Sequence, residues 1–119
     1  WDPAIESYYR ADVQINADGT VQARSRPGAI AEALDKVLDE PWHQHIAGIQ
    51  QPAILLNALG SFGPPGTPPV LPYEQARETV KALKNCLYFE IPGNHMTMLF
   101  GEGAQHIVKA ITEFIHDTV

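Results

Sequence analysis

Cationic side chains are scarce in this chain: eight Lys and Arg stand against fourteen Asp and Glu, for a formal net charge of −6. Such a chain has no basic patch to neutralise phosphates, so no nucleic-acid partner is expected. Cysteine is scarcer still. The single Cys86 lies inside an apolar run and is expected to be a buried small side chain and not a redox centre. One thiol builds no disulfide framework, which fits a reducing or thiol-indifferent compartment, and a cytoplasmic location is expected. No apolar run approaches the roughly 20 residues of a membrane-spanning helix, and no signal peptide opens the chain, so no membrane association is expected. A P-loop, a Gly-rich dinucleotide fingerprint and a cysteine cluster are all lacking, so no cofactor is expected. The chain opens Trp1-Asp2-Pro3 with no initiator methionine, and the expectation is a piece of a longer protein.

What is present suits a globular fold: 119 residues, 45% of them apolar, with no internal repeat. Residues 1–51 read as helix, hairpin, helix. Asp2 is an N-cap with Pro3 in the first turn of a helix running to about residue 12. Alternation in Val13-Gln14-Ile15-Asn16 and in residues 20–24, across Asp18-Gly19, predicts a β-hairpin. A helix opening at Ser25-Arg26-Pro27 carries Ile30, Ala33, Leu34, Val37 and Leu38 on one face, which implies a packing partner. Pro41 ends it, and a further short helical turn follows over 41–46.

Residues 52–119 have a different texture. The unbroken apolar run 52–58 marks a strand buried on both faces of a parallel sheet. Residues 59–69 are too rich in Gly and Pro for regular structure, and loops of that length are usually functional or mobile. A helix over 73–84, with Ala76, Val80 and Leu83 on one face and Asn85 as its cap, leads into a second strand, 86–91. The two strands are expected to be adjacent and parallel. A final helix over 103–117 lines up Ala104, Ile107, Val108, Ile111, Phe114 and Ile115, and is expected on the opposite face of the sheet from the first.

The chemistry centres on Ile91-Pro92-Gly93-Asn94-His95-Met96-Thr97-Met98. Pro92 stops the ladder and Gly93 permits a backbone conformation other residues resist. His95 then lies on a loop at the carboxyl end of a strand, where open α/β sheets place their chemistry. The plain alternative is a loop histidine bonded to a backbone carbonyl. His43 and His45 have neither a third His nor a Cys nearby and are read as solvated side chains, so no metal site is expected. His106 and His116 are read as surface residues. Gly60-Ser61-Phe62-Gly63 lacks the glycine two before the serine that a nucleophile elbow requires, and Ser61 is rejected as a nucleophile.

From residue 52 onwards, the order of strand, helix, strand, Pro92-Gly93-Asn94-His95 and closing helix resembles the C-terminal portion of the α/β-hydrolase fold superfamily. Residues 1–51 more loosely resemble the lead-in beside a cap region. The resemblance implies an α/β fold with parallel strands flanked by helices, and His95 as the catalytic histidine of an esterase-like hydrolase. Phe62, Met96 and Met98 would line a pocket for a small apolar substrate, with ordinary core packing as the alternative for the methionines. The family's elbow and oxyanion loop precede this region, so the nucleophile is expected upstream of Trp1. The implied partner is the remainder of the hydrolase domain, or a second copy by self-association through exposed sheet edges. Leu59-Gly60-Ser61 stands where the family usually carries its acid. That departure keeps a second reading open, a non-catalytic binding or assembly module that retains the fold.

Overall fold

The structure is a computed structural model and describes residues 2–118. It is mixed α/β. Among the described residues it has five α-helices, one antiparallel pair of strands and one parallel pair. The chain divides into two compact units, one ending at Pro41 and the other beginning at Trp42.

The first unit holds α1 (Pro3–Ala11), β1 (Val13–Ile15), β2 (Val21–Ala23) and α2 (Pro27–Asp39). Asp2 caps α1 by accepting from the Ala4 N–H at 2.7 Å. The hairpin forms as expected, with Val13 opposite Ala23 and Ile15 opposite Val21. Its turn is held by Asp18, whose carboxylate accepts from both the Thr20 amide and hydroxyl, and Gly19 supplies the positive φ of 83°. Pro41 ends α2 through its predecessor: Glu40 is driven to an extended ψ of 137°. The apolar face of α2 is formed, but Ile30, Leu34, Val37 and Leu38 all remain exposed, Leu38 at 81%.

The second unit holds α3 (Trp42–Gly48), β3 (Ala53–Asn57), α4 (Tyr73–Ala82), β4 (Cys86–Glu90), a 3₁₀ turn (Thr97–Leu99) and α5 (Gly101–Thr118). Strands β3 and β4 are adjacent and parallel, as the paired apolar runs predict. Because residues alternate between faces along a strand, the two flanking helices can be assigned to sides. Tyr88 meets Tyr73 of α4, ring centroids 6.1 Å apart, on one face. Leu56 and Phe89, on the other, pack with Ile107 of α5 around Ala58, Ile91 and Met98.

Four expectations need correction. Strand β3 is not buried throughout: its first four residues are half-buried, since among the described residues one neighbouring strand and the helices α4 and α5 cover it. Cys86 is likewise half-buried, and burial still pushes its thiol above the ordinary value. Helix α4 stops at Ala82. Leu83 is its extended C-cap, its N–H bonded to the Thr79 carbonyl, and Asn85 instead offers its carbonyl to the Ala53 N–H at the start of the sheet. Finally, the buried seam of α5 is displaced by one residue. Gly103 and Ala110 are buried, with Ile107 and Phe114 half-buried between and beyond them, while Val108, Ile111 and Ile115 face outward. The cause is close approach. A Cβ on Gly103 would stand 2.5 Å from the Met98 carbonyl oxygen, so the helix meets the preceding turn along its small side chains.

Gly103→Val should therefore destabilise the second unit by about 1–3 kcal/mol, read as a lower urea midpoint at unchanged slope, because the intruding atoms meet backbone and not a flexible side chain. In the first unit, the Thr20 hydroxyl and amide hold the Asp18 carboxyl below its ordinary value of 3.8. Its contribution to the hairpin is complete above that value and is lost as pH falls through the lowered folded value. Amide exchange of Thr20 should accelerate relative to Asn16 over that acid range, and Asp18→Asn should abolish the pH dependence.

Candidate active site

Parallel strands dictate which residues of the following loops meet. Across β3 and β4 each residue faces the one 33 positions further along the chain, from Ala53 opposite Cys86 to Asn57 opposite Glu90. The offset persists after the ladder ends. Ala58 and Ile91 share the core cluster. The Gly60 N–H donates to the Gly93 carbonyl at 2.9 Å, and Asn94 Nδ2 donates to the Ser61 carbonyl at 3.1 Å. The Phe62 and His95 rings then meet edge-to-face, centroids 5.8 Å apart and planes at 86°. The two loops run side by side for five residues beyond the strands, and His95 is at the end of that run.

Glycine is required at both members of the first loop contact. A Cβ on Gly60 would be 2.5 Å from the Gly93 carbonyl oxygen. Gly93 has a φ of 103°, and a Cβ there would be 2.6 Å from Thr97 Oγ1. Beyond Gly93, Asn94 organises the histidine's turn. Its Oδ1 accepts from the Met96 and Thr97 amides at 3.0 and 2.9 Å, while Thr97 Oγ1 accepts from the Asn94 amide at 2.8 Å. This is the reciprocal arrangement of a capping box, and it leaves Asn94 Nδ2 for the neighbouring loop. The Asn-x-x-Thr spacing was a legible signal of it; nothing in the sequence singled out Gly60.

His95 is exposed, and among the described residues no carboxylate bonds to it. An exposed imidazole offers a proton acceptor to whatever reaches the carboxyl end of the sheet. Phe62 is brought to it and is half exposed. Met96 is half-buried in the turn, and Met98 is buried in the core with Ala58 and Ile91. Nearby, Asn57 closes β3 as a buried polar side chain, its Nδ2 donating to the Leu71 carbonyl at 3.1 Å and reaching Tyr88 Oη at 3.5 Å.

The other histidines lie elsewhere. His43 and His45 fall on α3, where a spacing of two turns them to different sides of the helix. His45 meets the Trp42 ring at 5.9 Å, while His43 lines a cleft with Ile46, Gln75, Glu78 and Thr79. His106 Nδ1 lies 2.9 Å from the Glu102 carbonyl, which only accepts, so that nitrogen carries the proton. His116 is exposed beside Asp117. Among the described residues no three His, Cys, Asp or Glu side chains cluster as metal ligands, and no helix is long and apolar enough to cross a membrane.

Asn94→Ala removes both the turn acceptor and the loop tie and should lower stability by about 1–3 kcal/mol in urea unfolding. Asn94→Asp keeps the acceptor and loses only the donor to Ser61. It should preserve the Met96 and Thr97 amide shifts while releasing Ser61.

No protein-family model matches this chain, and neither a curated protein nor a solved structure matches it.

Proposed function

We propose that this chain is the C-terminal part of an α/β-fold hydrolase acting on esters or related bonds, and that His95 is its catalytic base. One observation carries the reading: an exposed histidine on the loop beyond the second of two parallel strands, beside the loop beyond the first. In the reaction, His95 accepts the hydroxyl proton of a serine as that oxygen attacks the substrate carbonyl, then returns it to the leaving oxygen. A water repeats the cycle to free the acid. Were the nucleophile an aspartate, His95 would deprotonate the water that attacks the covalent ester. Nucleophile and oxyanion donors come from outside this chain. Phe62 and Met96 meet an apolar substrate, with Met98 supporting them from the core.

The thin core supports a larger fold. Among the described residues the buried apolar side chains are Ala58, Ala76, Ile91, Met98 and Ala110, three of them alanine. The remainder of the hydrolase domain, or a second copy, would cover the parallel pair, whose outer edges have no strand partner among the described residues. The second reading is a non-catalytic binding or assembly module, favoured by the lack of a carboxylate partner at His95 among the described residues.

The 119-residue chain alone should not turn over p-nitrophenyl acetate. Extended by a segment that supplies the nucleophile and the oxyanion donors, it should do so. In that protein His95→Ala should lower kcat by roughly 10³-fold or more at unchanged melting temperature, since members of a catalytic unit fail together. His43→Ala and His106→Ala should stay near wild type. Normal turnover by a His95→Ala protein that melts early would instead favour the binding module.

A further inference from the structure

The Phe62 ring has no place in the core. It is 47% exposed, yet the chain around it is closely constrained. Thr67 Oγ1 lies 3.1 Å from the Phe62 carbonyl oxygen and 2.9 Å from that of Pro64, and the Phe62 N–H reaches the Pro68 carbonyl at 3.4 Å. Gly63 and Gly66 close the loop at φ of 117° and 89°, and Pro64, Pro65, Pro68 and Pro69 restrict the rest. A half-exposed aromatic on so constrained a loop is held for what it touches, and the ring it touches is His95.

A general base needs its ring held in one orientation, a task that a hydrogen-bonded carboxylate performs in a Ser-His-Asp triad. Among the described residues His95 has no such partner; its one ring or polar side-chain contact is Phe62. Edge-to-face aromatic pairs have a preferred geometry, and the strand offset fixes which residues form this one. We propose that Phe62 is the positioning residue of the His95 imidazole, restricting it to one rotamer from a loop clamped by Thr67. The consequence for turnover rests on the hydrolase reading; the positioning does not.

The test uses NMR on the 119-residue chain. Three-bond Hα–Hβ couplings of His95 should report one staggered rotamer in the wild type. Phe62→Leu should average them over several rotamers, and Phe62→Tyr should restore the wild-type values. Thr67→Val, which keeps the aromatic ring and unties its loop, should average them in part. Gly60 and Asn94 amide shifts report whether the loop contact itself survives; if Phe62→Leu disrupts it, the Thr67→Val and Phe62→Tyr couplings decide. Averaged couplings in the wild type, or unchanged couplings in both Phe62→Leu and Thr67→Val, would overturn the proposal. In an active, extended protein, Phe62→Leu should lower kcat by about ten- to a hundredfold, in line with the sensitivity of catalysis to misplaced groups. An extended protein that hydrolyses nothing but keeps the coupling pattern overturns the hydrolase reading and leaves this one standing.

Discussion

The hydrogen-bond register between β3 and β4 governs everything of chemical interest in the second unit. Pairing Ala53 with Cys86 commits each later residue to a partner at the same offset. Two loops that leave neighbouring parallel strands at the same level can continue side by side only if their backbones approach closely, which is why glycine stands at both 60 and 93. Asn94 then converts proximity into attachment, with one end of its side chain in its own turn and the other on the neighbouring loop. A one-residue slip of the ladder would turn the alternating side chains to opposite faces and separate Phe62 from His95.

Small residues perform the same service on the other side of the turn. Gly103 lets α5 approach the Met98 backbone, and Ala110 continues that seam. Met98 is thereby enclosed with Ala58 and Ile91, and the segment bearing His95 is anchored at both ends: by the loop contact before it and by a buried methionine after it. The exposed histidine is carried on a well-tied piece of backbone, which holds its position without burying it. The same close packing leaves the line Val108, Ile111 and Ile115 facing outward.

The five histidines differ less in sequence context than in what surrounds them. His106 is committed to a carbonyl of its own helix and His45 to an indole ring. His43 faces a cleft beside α4, and His116 sits in solvent at the end of α5. His95 alone combines exposure with a position at the carboxyl end of a parallel pair, which is why the proposed chemistry rests there.

Several features were determined by sequence alone because their causes are local. The hairpin at Asp18-Gly19, the stop at Pro41, the two apolar runs that form β3 and β4 and the loop that carries His95 all follow from turn chemistry, proline sterics and periodicity. The displaced seam of α5 did not, because periodicity identifies apolar residues, whereas close backbone approach selects small ones, and only the packed turn at Met98 decides between them. The end of α4 was hidden for a related reason: the carbonyl of Asn85 is drawn to Ala53, more than thirty residues earlier. The meeting of Phe62 with His95 likewise belongs to tertiary structure. Each loop could be read by itself, but their contact depends on a strand register that no local pattern specifies.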